Sequence, residues 1–515
     1  MDFISTFTLL VLSSVILSWI WLNKKFNYWK ERGVATLPHS SIFGNIKQSI
    51  FVQKPISEIV TSIYQSFKSQ GAKHGGIYFM WYPIYVAIDV EVIKSIMQVD
   101  FQHFVDRGMY YDEKNNPLSA HLFSLAGKKW KLLRHKLTPT FTSGKMKMMF
   151  DTLVDCTVGL FKVLDNELDK AVDIKDVLGR FTTDIIGSCA FGIDCNSLEN
   201  PDNEFKDKTK QLFHRSNFLS FKIALSIVAP KLSRALKIKY ISDDVNDFFI
   251  RIVEENVAYR EKNNIFRKDF MHLLIQLKNR GQLVDDETVS VENISEEENR
   301  ITLQEIAAQA FIFFEAGFET SATTMTFCLY ELSKNKSIQE KLRGEIKKVL
   351  AKHDNKLTYD ATMDMDYLER IIHETLRKYP PVIRLIRICT EEYKKPESNL
   401  IIEKGVRVMI PVYAIHHDPE YYPNPETFDP DRFSEDVKKT RPAFSFLPFG
   451  EGPRACIGAR FGMMQTKVGL IALLLNYEFS VNEKTEEPLQ YDPHSFTLST
   501  KGVLWLNLRR IREKL

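Results

Sequence analysis

The sequence predicts a mainly α-helical fold with a small β part, held behind an N-terminal transmembrane helix. Three observations carry that expectation. Residues 3–22, FISTFTLLVLSSVILSWIWL, contain no charge. Helix-period hydrophobic patterns dominate the chain beyond residue 44. From Leu303 to Leu332 the chain is apolar nearly all round, as a helix buried on every side must be.

The elements follow in order. Twenty uncharged residues at about 1.5 Å each span roughly 30 Å, the hydrocarbon core of a bilayer. Trp19 and Trp21 sit at its end, and Lys24, Lys25, Lys30 and Arg32 follow, which places the body on the cytosolic side. A cleaved signal peptide would have a shorter apolar core and a small-residue cleavage site, and NKKFNYWK is not one. Residues 1–23 therefore read as a membrane anchor and 24–44 as a linker with a stiff turn at Pro38. Residues 45–515 read as one large catalytic domain, since no Gly/Ser-rich linker or internal repeat divides them. Leu122–Lys136 is a basic amphipathic stretch. Phe205–Leu236 holds two helical segments around FLSFKIALSIVAP, residues 218–230, which suit either the membrane surface or the core. Residues 285–300 are acid-rich and read as an exposed loop, and the sequon at Asn293 would go unused on the cytosolic side. Thr302 and Glu305 form a capping box that opens the long apolar helix. Residues 400–411, LIIEKGVRVMIP, suggest a hairpin turning at Glu403-Lys404-Gly405.

Composition narrows the function. The chain has 515 residues, 69 basic and 66 acidic, a net charge of +3, which argues against a nucleic-acid-binding protein. The six cysteines are scattered with no CxxC pair, so neither a zinc site nor a redox pair is expected. One of them stands out. In PFGEGPRACIG, residues 448–458, glycines and a proline surround Cys456 and present it from an irregular backbone. A thiolate there would be a soft iron ligand of the kind that holds haem. A structural cysteine in a Gly-rich turn is the commoner reading of such a residue alone, and a phosphate loop lacks its Lys-Ser/Thr.

Spacing decides between them. F449-x-x-G452-x-R454-x-C456-x-G458 is the haem-binding signature of the cytochrome P450 family, and the chain resembles that family over essentially its whole length. Residues 130–150 and 181–201 resemble its microsomal insect detoxification branch. The resemblance implies the family fold, with the long central helix over haem b. It implies Cys456 as axial iron ligand, and Phe449, Gly450, Gly458, Ala316 and Gly317 against the macrocycle. Trp130, Arg134, Arg387 and Arg454 would hold the propionates. In A316-G317-F318-E319-T320-S321, Thr320 would organise the proton network at the oxygen-binding bend and Glu319 would take part in proton delivery. Glu374 and Arg377 of ExxR would lock with Arg432 of FDPDRF as a structural brace. Phe123, Phe213, Phe314, Ala316, Val382, Ile386, Phe496 and Leu498 are the substrate-pocket candidates. Two departures from the family pattern are His39, where a second hinge proline is usual, and Ala455, often asparagine in the related branch.

The implied function is a monooxygenase of the endoplasmic reticulum membrane, putting one atom of O2 into lipophilic small molecules such as plant toxins or insecticides. Its partners would be an NADPH-dependent flavoprotein reductase, cytochrome b5 and membrane lipid. Lys128, Lys129, Lys131, Lys136, Lys145 and Lys147 offer a docking patch for an acidic electron donor, or a merely solvated helix face. Endogenous hormones or fatty acids are the alternative substrates. A haem-thiolate isomerase or dehydratase would tend to lose the Glu319-Thr320 pair. His416, Asp418 and His494 could form a non-haem iron site, although that chemistry suits a strand-rich fold. A membrane-tethered lipid carrier would leave the cysteine signature unexplained.

Overall fold

A computed structural model describes residues 3–205, 208, 216–283, 300–395 and 400–511. Phe213, residues 285–299 and the sequon at Asn293 lie outside the described residues.

The anchor forms one helix, α1 (Phe3–Phe26), with no buried residue. The span Phe3–Arg32 contains an 18-residue window of mean hydropathy 2.1 and is the one described helix long and apolar enough to cross a membrane. The stretch expected as a linker is docked rather than loose. Trp29 is fully buried and donates its indole N–H to the Ile77 carbonyl at 3.1 Å. Trp21 meets Trp81 edge-on at 5.5 Å, and His39 stacks on Phe26 at 4.2 Å. The ring of His39 thus packs where a second proline was expected.

Helix α2 (Ile56–Lys68) precedes a hairpin of β1 (His74–Phe79) and β2 (Tyr82–Ala87). Helices α3 (Gly127–Leu137) and α4 (Ser143–Asp165) follow, then the short strand β3 (Ala171–Asp173) and α5 (Ile174–Ile186). Helix α6 (Asn217–Val228) inverts the usual pattern: Phe218 and Phe221 are exposed, while Ser220, Ala224 and Ser226 are buried. Helices α7 (Asp243–Asn263) and α8 (Phe270–Arg280) lead to α9 (Leu303–Lys334), which opens on the expected capping box. Twenty-two of its 32 residues are buried, as its all-round apolar sequence requires. Helices α5, α7, α8 and α11 (Asp366–Lys378) and α12 (Ala459–Asn476) pack around it, and α10 (Lys336–Lys352) continues from its end.

The β part is small. Strands β4 (Leu385–Ile388) and β5 (Arg407–Ile410) complete a four-stranded sheet in the order β1-β2-β5-β4, in which β2 and β5 run parallel. Strands β6 (Tyr477–Val481) and β7 (Trp505–Arg510) join β3 in a second sheet. The hairpin expected over 400–411 does not form. Ile401–Ile402 pairs with Tyr393–Lys394, while β5 pairs with β2 and β4. Gly405, at φ +96°, turns the chain out of one sheet into the other.

Candidate active site

The cysteine loop is built by its glycines. Gly450 and Gly452 have φ of +67° and +71°, and a Cβ on Gly452 would lie 1.9 Å from the Met97 carbonyl oxygen. The Cys456 N–H donates to the Phe449 carbonyl at 2.8 Å, closing the loop just before α12 begins. Gly458 has ordinary φ, and its backbone N–H donates to the Cys456 sulfur. Burial pushes the Cys456 thiol up; that N–H and the charges of Arg107 and Arg134 pull it down. A sulfur at the start of an 18-residue helix also meets the positive end of its dipole. Cys456 is the one exposed cysteine, although protein surrounds it. Its accessible surface therefore faces an enclosed interior space.

Helix α9 supplies the opposite wall. Gln465 of α12 donates to the Gly317 carbonyl at 3.4 Å, which holds the two helices together beside Cys456. Ala316 is exposed, in a half-buried part of a helix that is buried on either side of it. A Cβ on Gly317 would meet Ile186 Cδ1 at 2.5 Å, so this glycine is also a packing notch against α5. The Thr320 hydroxyl donates to the Ala316 carbonyl at 2.6 Å. The helix runs unbroken here, and side chains of Thr320 and Gln465 bond the Ala316 and Gly317 carbonyls. Glu319 is buried but not unpaired: it meets Lys175 of α5 at 2.9 Å and accepts from the Thr497 hydroxyl at 3.3 Å.

Four arginines converge near the thiol. Arg134 donates to the Ala455 carbonyl at 2.9 Å, a backbone bond that any residue at 455 could supply. Arg454 lies 3.8 Å over the Trp130 ring and donates to Val105, Asp106 and Leu125. Arg387 is almost fully buried and donates only to the carbonyl of Ile386, at 3.0 Å. Arg107 donates to the carbonyls of Phe123 and Arg454. Burial lowers Arg387 to about 10 and Arg454 to about 9; at Arg454 it prevails over the attraction of Asp106, with the repulsion of Arg387 and Arg134 adding to it. Arg387 Nε and Arg454 Nη1 are buried with no partner. Buried guanidinium N–H groups without acceptors are costly, so this cluster is complete only with a further acceptor beside it. Arg107 was missed in the sequence because it stands alone, outside any spaced motif.

Glu374, Arg377 and Arg432 meet in the fold. Glu374 and Arg377 are fully buried and joined by two bonds of 2.7 and 2.8 Å, and Arg432 lies 3.4 Å from Glu374. Arg377 also holds the His416 carbonyl at 3.0 Å, and the His416 ring accepts the Leu447 N–H at 2.8 Å. Burial, His417 and Arg377 keep that imidazole neutral, as an acceptor must be. His416 is thus part of the link from the brace to the cysteine loop. The non-haem iron alternative fails accordingly: Asp418 serves Tyr64 and Lys68, and no metal-ligand cluster occurs among the described residues.

The comparison with known families decides what this arrangement is. The Cytochrome P450 family model matches residues 36–507. The chain belongs to the cytochrome P450 family. It is similar to Probable cytochrome P450 6a14 of Drosophila melanogaster, at 42% identity over 95% of this chain and 96% of the relative. It is 41% identical to Cytochrome P450 6A1 of Musca domestica over the full length of both, and 40% identical to Cytochrome P450 6a2 of Drosophila melanogaster over 98% of this chain and 99% of the relative.

As a cytochrome P450 the chain is a monooxygenase whose cofactor is haem b. The residues fit that group: the partnerless guanidinium atoms match two propionates, and the accessible thiol matches an iron ligand. Trp130, Arg107, Arg134, Arg387 and Arg454 would hold the propionates and Cys456 the iron; bound there, haem supplies the oxidising chemistry.

The apolar candidates divide. Phe123, Val382 and Phe496 are each about two-fifths exposed, at 43%, 40% and 39%, and suit a cavity wall. Ile386 is half-buried on β4. Phe314 and Leu498 do not reach the cavity surface. Phe314 is sealed among Phe191, Phe205 and Phe249, and Leu498 is buried with its N–H on the Pro381 carbonyl. Both were expected to touch substrate because apolar residues beside a site and apolar residues beneath it read alike in sequence.

Proposed function

We propose that this cytochrome P450 inserts one oxygen atom from O2 into lipophilic xenobiotics such as plant toxins or insecticides, with the second atom leaving as water. Two electrons come from NADPH through a flavoprotein reductase, with cytochrome b5 as a further donor, and two protons complete the balance. The enzyme sits on the cytosolic face of the endoplasmic reticulum membrane, held by α1. The observation that carries the reading is the accessible Cys456 sulfur beside two buried guanidinium groups, each with one N–H that lacks a partner. Thr320 holds a proton at the Ala316 turn, and Glu319, reached through Thr497 and Thr323, feeds that relay. Exposed Phe123, Val382 and Phe496 support a lipophilic substrate. The xenobiotic assignment is supported by likeness to insect relatives.

A carbon monoxide difference spectrum of the dithionite-reduced protein, beside Cys456→Ser, tests the ligand. A strongly red-shifted Soret band in the wild type and its loss in the variant are expected. An unshifted band in haem-loaded wild type overturns thiolate ligation. Product formation from lipophilic toxins with reductase and NADPH then tests the substrate class, and oxidation confined to endogenous lipids would refute it.

A further inference from the structure

Helix α9 carries a second carboxylate that the oxygen-activating turn does not use. Glu315 lies one residue before the exposed Ala316 and keeps accessible surface of its own. It makes no hydrogen bond or ion pair with any other described residue. Burial alone raises its carboxyl to about 7.

Its position on the helix fixes what it faces. Phe311, Glu315 and Glu319 recur every four residues and form a stripe about 12 Å long on one side of α9. At the Phe311 end the stripe meets His121, whose ring is 6.4 Å away, and the next loop residue but one is exposed Phe123. At the Glu319 end it meets Thr497, which stands between exposed Phe496 and the Leu498 N–H that ties this loop to Pro381, beside Val382. Along α9, Glu315 lies between Phe311 and Glu319, the two residues that meet the loops carrying Phe123 and Phe496. The charged groups on the packed elements are already engaged elsewhere. Arg107 is turned to the Phe123 and Arg454 carbonyls, Lys175 to Glu319 and Ser499, and His121 is held neutral, near 3, by burial and Arg107. A carboxylate left bare in an apolar wall costs stability unless a ligand pairs it.

We propose that Glu315 is the polar recognition point of the substrate cavity and selects lipophilic organic cations. This rests on the monooxygenase reading and narrows its substrate class. Ring and aliphatic surfaces of Phe123, Val382 and Phe496 take the hydrocarbon part, and the Glu315 carboxylate takes the positive centre.

The test uses a phenylalkyl trimethylammonium ion and its neutral isostere with carbon in place of nitrogen. The quaternary centre has no lone pair, so it cannot ligate iron, and it does not titrate. Affinities for detergent-solubilised, haem-loaded protein are measured by equilibrium dialysis from about pH 6 to about pH 8. In the wild type the cation is preferred about tenfold at the upper pH, the scale of one charge-assisted contact. That preference falls as the carboxyl protonates at the lower pH. In Glu315→Gln it is absent throughout, with the isostere bound as in the wild type. A preference retained in Glu315→Gln overturns the proposal. No preference in the wild type, with the isostere bound and oxidised, also overturns it while the monooxygenase reading stands. If neither compound binds protein that shows the red-shifted carbon monoxide band, the lipophilic-substrate reading and the proposal fall together.

Discussion

Gly452 shows how one residue holds the chemistry. Its left-handed φ and the Met97 carbonyl 1.9 Å from any Cβ leave no room for a side chain. Gly452→Ala would add backbone strain of about 1–3 kcal/mol to a steric clash with backbone that cannot swing aside. The expected outcome is loss of most haem in purified protein, read from the ratio of Soret to protein absorbance. Glu315 gives the opposite sign. Its folded carboxyl titrates near 7 against an ordinary value of 4.5, so the folded state is favoured below 4.5 and loses that advantage as pH rises through 7. Glu315→Gln should therefore match the wild-type Tm in acid, exceed it increasingly from about pH 4.5 to 7, and keep that margin above 7, by differential scanning fluorimetry. An equal Tm difference at every pH would show that the carboxyl does not titrate in the folded protein.

At the level of elements, two surfaces make separate predictions. On α3 and α4, Lys129 and Lys147 are paired with Glu113 and Asp360, while Lys128 and Lys131 are exposed. Reversing Lys128 and Lys131 to Glu should slow reduction by the flavoprotein at low salt and leave the absorbance spectrum unchanged, because a docking patch acts through charge steering. Stopped-flow reduction rates equal to wild type would refute the patch. Helix α6 exposes Phe218 and Phe221, so a chain lacking residues 1–23 should still sediment with vesicles. Phe218→Ser with Phe221→Ser should abolish that residual binding. The sequence left this segment open between core and membrane because its mean hydropathy is the same in either place. Only the direction of the phenylalanines distinguishes them, and that needs the packed structure.

For the molecule as a whole, the arginine cluster links folding to cofactor. Arg387 is buried without an anion of its own, so Arg387→Met should raise the Tm of haem-free protein and lower the gain in Tm on haem loading. Motif-borne features were legible in the sequence: the capping box, the ExxR brace and the cysteine loop each depend on short spacings that one local backbone conformation reads out. Long-range pairings were not. The false hairpin at 400–411 looked right locally, but β5 finds its partners in β2 and β4, and Ile401–Ile402 in a strand before it. Arg107 and Glu315 escaped for the same reason, since their meaning lies in what the fold brings beside them. Leu498 and Phe314 show the converse, where the right residue type faces the core.

The seating of Trp29 in the core changes what the N-terminal helix is mechanically. A flexible tether would let the body tumble above the bilayer, whereas Trp29 against Ile77 and Trp21 against Trp81 make the helix a mast fixed to the sheet edge. Tilt of the mast then becomes tilt of the body. A helix longer than the local hydrocarbon leans to fit it. Bilayer thickness would therefore act as a dial on how deeply Phe218 and Phe221 sink into lipid.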